Sequence, residues 1–208
     1  TLPARLARFL RRCRNSLCLI DVGANVGDSI AAFGLHPHDK CLAIEPNEAF
    51  ARYLRLNWPD PQQVIHLGIV CTSGEQAGLY AIDQHRGTAS IRPDASGQAL
   101  QGRPLDNVVD TFEAFRHPDL IKIDTDGHDF EVLAGAMQTI ARSRPAVLFE
   151  CDVFGRPTYA QAALERLEAF AAVGYSDVIV YDNLGVLVGR YALDDRSALA
   201  ALLFRQLV

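Results

Sequence analysis

The sequence predicts an α/β protein: a doubly wound, mostly parallel seven-stranded sheet with one antiparallel edge strand and helices on both faces. Three observations carry this prediction. Continuous apolar runs at 17–20, 40–44, 64–70, 120–123 and 146–149 read as strands buried on both sides. Between most of them lie stretches with apolar residues three and four apart, and such strand–helix alternation implies parallel strands joined by crossover helices. Near the C-terminus, runs at 176–182 and 185–190 follow one another across Asp182-Asn183-Leu184-Gly185, a connection too short for anything but an antiparallel pair.

At 208 residues, 49% hydrophobic and 22% charged, the chain suits one well-cored domain, so 1–208 is read as a single domain. It opens at Thr1 rather than Met, as a fragment of a longer protein would. The first element is a helix within 1–16, with Leu6, Phe9, Leu10 and Cys13 as its apolar stripe and Arg5, Arg8, Arg11, Arg12 and Arg14 as its solvated side. A net charge of −5 excludes a basic nucleic-acid footprint for the whole chain. An anionic partner or membrane surface for this helix is the lesser reading beside a plain surface helix. Five scattered cysteines without Cys-x-x-Cys fit a reducing, cytoplasmic setting. No signal peptide or bilayer-spanning run is present in the sequence.

The first strand ends in Asp21-Val22-Gly23-Ala24-Asn25-Val26-Gly27, and a short helix over 28–33 stops at Gly34. Strand, glycine turn and helix together form a ligand site, because helix N–H groups and the strand-tip carboxylate face one space. The dinucleotide pattern G-x-G-x-x-G fails, since Asn25 and Asp28 stand where glycine is needed. No Gly-Lys-Ser/Thr follows either, which excludes a Walker phosphate loop. His36 and His38 flank Pro37 in a solvated loop without companion metal ligands. The second strand ends in Glu45-Pro46-Asn47 at roughly the 20-residue offset where an acid meets ribose hydroxyls. Asn47 caps a helix that runs to Asn57 and stops before Trp58-Pro59.

The third strand covers 64–70, with His66 a packed or edge residue. An insertion over 77–102 follows: exposed strands at 77–83 and 88–91, then a polar, mobile stretch at 94–102. Its His85, Arg86, Thr88 and Ser90 are candidate acceptor contacts. A short helix from 105 leads to Phe115, and the fourth strand ends in Asp124-Thr125-Asp126-Gly127-His128. One helix then carries Phe130, Val132, Leu133, Ala136, Met137 and Ile140 and stops before Pro145, and the fifth strand ends in Glu150. Helices at 159–173 and 195–204 bracket the antiparallel pair.

With these residues in hand, the chain resembles the FkbM family of Rossmann-like O-methyltransferases that use S-adenosylmethionine (SAM). The likeness rests on Ile20 through Gly27, Glu45-Pro46-Asn47, Leu105-Asp106-Asn107, and Leu120 through Asp129 running into Val132-Leu133-Ala134-Gly135-Ala136. Thr125-Asp126 departs from the Val-Glu more usual there. The resemblance implies SAM as cofactor and methyl transfer to a hydroxyl of a sugar or polyketide-type small molecule. It implies cofactor contacts from Asp21, Gly23, Asn25 and Gly27 to the methionine part, from Glu45 and Asn47 to the ribose, and from Asp124 beside the sulfonium. Asp124 is also the first candidate to accept a proton, with His128 and Glu150 behind it. No metal is assigned, although Asp124, Asp126, His128 and Glu150 form an alternative divalent-cation set. A non-catalytic SAM-binding or partner-binding module is a further alternative, and a nicotinamide oxidoreductase lacks the required glycines.

Overall fold

The architecture is that of a computed structural model, which describes residues 1–85, 88–151, 153 and 157–205. It divides into two units, Thr1–Glu150 and Cys151–Val208. The first begins with α1 (Leu2–Cys13), β1 (Cys18–Val22), α2 (Asp28–Phe33), β2 (Lys40–Ile44), α3 (Glu48–Asn57) and β3 (Val64–Leu67). It continues with β4 (Val70–Cys71), β5 (Gln76–His85), β6 (Thr88–Pro93), β7 (Gln98–Arg103) and α4 (Leu105–Thr111), followed by one 3₁₀ turn (Glu113–Phe115). It ends with β8 (Leu120–Ile123), α5 (Asp129–Ala134), α6 (Met137–Ser143) and β9 (Ala146–Phe149).

The continuous apolar runs pair as one parallel sheet in the order β3-β2-β1-β8-β9. Leu19, Ile20, Leu42, Leu120 and Ile121 are wholly buried in it, as strands covered on both faces must be. From β1 the chain steps outward to β2 and β3, then returns to β8 on the other side. The sheet therefore has a topological switch point between β1 and β8, where open α/β sheets leave a crevice at the strands' C-terminal ends.

Three elements differ from the sequence reading. The third apolar run divides at Gly68: its first half is β3, while Val70 and Cys71 pair with Gly102 and Arg103 of a second sheet. That sheet, in the order β4-β7-β5-β6, also absorbs most of the 94–102 stretch read as mobile. Asp94 accepts the N–H of Ser96 at 2.8 Å to form the turn, and β7 then pairs antiparallel with β5. Its residues, half of them exposed and only Gly102 buried, gave no alternation to read. The single helix expected after β8 is two helices, broken at Gly135-Ala136. There the Asp106 carboxylate of α4 accepts the N–H groups of Gln138 (3.0 Å) and Thr139 (2.7 Å), capping α6 as a separate start.

Helix α1 packs through Ala7, Leu6 and Leu10 rather than through Phe9 and Cys13, which are exposed. Asp39 pins its end: the carboxylate accepts from Arg11 Nε (2.9 Å) and from the N–H groups of Leu17 (2.7 Å) and His36 (2.7 Å). These donors outweigh burial and hold the Asp39 carboxyl below its ordinary value.

The second unit contains α7 (Pro157–Ala172), β10 (Asp177–Tyr181), β11 (Leu187–Ala192) and α8 (Arg196–Arg205). Leu164, Leu167 and Phe170 of α7 and Leu199 and Leu203 of α8 are buried. Strands β10 and β11 pair antiparallel, as expected, in a two-stranded sheet of their own. The seven expected strands are thus five in the parallel sheet and two in this pair. Among the described residues, no helix is long and apolar enough to cross a membrane.

Candidate functional site

At the switch point the chain leaving each strand stays tied to its neighbour. Gly23 and Ala24 donate to the Ile44 carbonyl, Glu45 to Leu67, and Asp124 to Val22. The strand tips therefore stand side by side and form one edge.

The turn after β1 is fixed from beside and below. Gly23 (φ 76°) and Gly27 (φ 87°) both occupy the left-handed region. A β-carbon on Gly23 would stand 1.8 Å from the Asp124 carbonyl oxygen, and one on Gly27 2.5 Å from the Trp58 indole nitrogen. These glycines are thus needed for close approach to β8 and to the end of α3. Trp58 Nε1 donates to the Gly27 carbonyl at 3.1 Å and Asn57 Nδ2 to that of Val26 at 2.9 Å.

Glu45 closes the other side of the turn. Its carboxylate accepts the N–H of Asn25 at 2.9 Å and of Asn47 at 2.8 Å, joining the turn after β1 to that after β2. Burial raises its pKa against the pull of these two donors. Asn47 caps α3 through Oδ1 (3.0 Å to the Ala49 N–H), and its buried Nδ2 has no partner. His66 is an edge residue, as expected, with Nε2 3.0 Å from the Glu45 carbonyl oxygen.

Below the edge lies a residue the sequence reading left without a role. The parallel register sets Lys122 of β8 opposite Asp21 of β1. Its Nζ donates to the Gly23 carbonyl at 2.9 Å and stands 3.1 Å from Asp21 Oδ1 and 3.5 Å from Asp124 Oδ2. Burial alone would lower the Lys122 pKa, but Asp21 and Asp124 outweigh it and raise it, so the ammonium persists. Asp21 is completely buried, and desolvation raises its pKa against the attraction of Lys122. The available signal was the lysine itself: a charge inside an apolar run must be paired.

The loop after β8 is shaped by Asp129, another residue given no role from sequence. Its carboxylate accepts the N–H groups of Thr125 (3.0 Å) and Gly127 (3.2 Å). Asp126 (φ 52°) and Gly127 (φ 106°) make the turn between them. Thr125 Oγ1 and His128 Nε2 are buried without hydrogen-bond partners.

Between the two turns opens a cleft of about 480 Å³, solvent at its mouth included. Gly23, Asn25 and Glu45 line one side, Asp124, Thr125, Asp126 and His128 the other. Phe50, Ile69, Val70 and Cys71 supply an apolar wall, and Ile91 reaches it from the insertion. Burial pushes the Cys71 thiol up to about 12, so it lines the wall as an inert apolar group.

Of the residues singled out from sequence, Gly23, Asn25, Glu45, Asp124 and His128 line this cleft. Asp21, Gly27 and Asn47 support its turns from outside the lining, and Glu150 also lies outside it. Carboxylate oxygens of Asp124, Asp126 and Glu150 gather within 4.8 Å of one another; His128 is not in that group. Arg86 lies outside the described residues, as do the side chains of His85, Thr88 and Ser90.

A cleft at the switch point of a parallel sheet, with an acid at the second strand's tip, defines an open α/β protein with its crevice at the strands' C-terminal ends. The chain belongs to the methyltransferase FkbM domain family, whose model matches residues 21–176. No curated protein matches it. Among solved structures it is similar to the methyltransferase FkbM from Methylobacillus flagellatus KT, with a TM-score of 0.58 and 16% identity over 81% of this chain. The chain spans only 41% of that protein's length. A precorrin-6y C5,15-methyltransferase from Geobacter metallireducens GS-15 is also similar, with a TM-score of 0.48, 16% identity, and coverage of 86% of this chain and 73% of that one.

Proposed function

We propose that this chain is a methyltransferase that uses SAM as donor and a hydroxyl of a sugar or polyketide-type small molecule as acceptor. The observation that carries the reading is the cleft itself, flanked by Glu45 on one side and Asp124 on the other, with an apolar wall between. The donor fits these residues. Phe50, Ile69, Val70 and Cys71 suit a flat purine, and Glu45 retains acceptor capacity for ribose hydroxyls beyond its two backbone donors. Asn47 keeps one unpartnered amide donor nearby. Gly23 and Asn25 offer backbone to the amino-acid part, while Asp21 and Gly27 act from behind the turn.

When bound, the donor supplies a methyl on a sulfonium, whose sulfur keeps the bonding pair and leaves neutral. The chain's own work is then positioning and proton transfer. Lys122 fixes the Asp124 carboxylate at the mouth of the cleft, where it accepts the proton released from the acceptor hydroxyl. His128 and Thr125 line the same side of the cleft, and their buried, unpartnered Nε2 and Oγ1 suit acceptor hydroxyls once uncovered. Glu150 belongs to the same acidic group.

Transfer of label from methyl-labelled SAM to a panel of sugars and polyketide-type alcohols tests this. Asp124→Asn should lower the rate on the order of 10²-fold or more, the usual worth of a positioned base. Donor binding without methylation of any acceptor, including extracts of the producing cells, would make the chain a non-catalytic binding module. A metal-assisted variant is favoured by the Asp124–Asp126–Glu150 group alone. Loss of activity with EDTA and recovery with Mg²⁺ supports it; activity indifferent to EDTA removes it.

A further inference from the structure

Charge is unevenly divided along this chain. Five arginines fall between Arg5 and Arg14, and the first acid is Asp21, although the net charge is −5. Helix α1 is therefore a cationic element on an otherwise acidic protein. Two of its neighbouring arginines serve the fold. Arg11 binds Asp39 and donates to the Gly34 carbonyl at 2.8 Å, and Arg14 stands 3.5 Å from Asp119. Arg5, Arg8 and Arg12 are exposed, and no ion pair involves them among the described residues.

Helical geometry groups these three within an arc of roughly 60°. Phe9, 61% exposed, borders that arc, while Ala7 on the opposite side is buried and Leu10 packs on the core. The inner face of α1 is fully engaged, so the Arg5-Arg8-Phe9-Arg12 face contributes nothing to the fold. We propose that this face docks the protein on an anionic lipid bilayer, with the arginines on headgroup phosphates and Phe9 at the headgroup–acyl boundary. Two features select a bilayer over nucleic acid. An exposed phenylalanine beside the arginines gains from an acyl boundary and nothing from a phosphate backbone. A plane also touches one helix tangentially, whereas a polyanion long enough to wrap would meet the acidic remainder of the chain. This inference is independent of the methyl-transfer reading.

Co-sedimentation of the full chain with vesicles tests it. The chain should pellet with phosphatidylcholine vesicles containing phosphatidylserine and stay in the supernatant with phosphatidylcholine alone. Each arginine is worth on the order of fivefold in partitioning, so the triple variant Arg5→Gln/Arg8→Gln/Arg12→Gln should lose about 100-fold. Arg8→Gln alone should lose about fivefold and Phe9→Ser about tenfold, with unchanged thermal unfolding because none of these side chains packs in the fold. Failure to bind the serine-containing vesicles, equal binding to both vesicle types, or undiminished binding of the triple variant overturns the proposal. So does binding to a duplex oligonucleotide that the arginine variants lose and Phe9→Ser keeps, which would assign the face to nucleic acid.

Discussion

The two walls of the cleft are built on opposite plans. On the β1–β2 side the Glu45 carboxylate is engaged by Asn25 and Asn47, and the turn glycines are held against β8 and Trp58. Among the described residues there, the Asn47 amide lacks a partner and the Asp21 carboxylate has the Lys122 ion pair. On the β8 side Thr125 and His128 carry buried polar atoms with no partner, and the Asp124 side chain is 52% exposed. One wall is preassembled, so a ligand meets groups already in place. The other keeps buried polar atoms without bonds beside a half-exposed carboxylate, and it is the side we propose for the acceptor. Lys122 is the element common to both, reaching Gly23 on one side and Asp124 on the other.

Breaking that shared element should have the largest effect. Lys122→Met leaves Asp21 buried without its counter-charge, at a cost of about 3–5 kcal/mol. Thermal unfolding should fall by roughly 10 °C and donor binding should be lost with it. The double variant Asp21→Asn/Lys122→Met should recover much of the stability; if the two losses simply add, the pair is not coupled.

A change remote from both walls sharpens the comparison as a control. Asp39→Asn removes the acceptor that pins α1, costing about 1–3 kcal/mol at neutral pH while leaving donor affinity intact. Asp39 is held below its ordinary 3.8 in the folded chain, so its contribution is complete above that pH and is lost as pH falls through the folded value. The stability difference between the two proteins should therefore close in acid, as followed by urea unfolding across pH. The smallest effect on the preassembled wall belongs to His128→Ala. Donor affinity should change less than about twofold, while the KM for the acceptor rises several-fold through loss of one hydrogen bond.

Much of this was legible in the sequence because burial on both faces writes itself as unbroken apolar runs. The five parallel strands and their order of appearance follow from that pattern, and the acids Glu45, Asp124 and Glu150 are visible just beyond β2, β8 and β9. What the runs do not carry is register. Lys122 was visible as a charge in an apolar strand, yet only the pairing of β1 with β8 sets it opposite Asp21. For the same reason Asp21 read as a tip carboxylate, whereas it lies buried beneath the turn. Strand β7 escaped notice because apolar and polar residues do not alternate along it, and the break at Gly135 because its cause is Asp106, distant in sequence. On α1 half of the stripe held: Leu6 and Leu10 pack on the core, but Phe9 and Cys13 face outward and Ala7 takes their place.

The central claim is that the preassembled wall holds the donor through Glu45. Calorimetric titration of SAM into the intact chain and into Glu45→Ala measures it directly. The account predicts one binding site and an affinity reduced about 10- to 100-fold in the variant, the worth of hydrogen bonds to a charged group. Equal affinity in a variant that still unfolds cooperatively, or no binding to the intact chain, would contradict it.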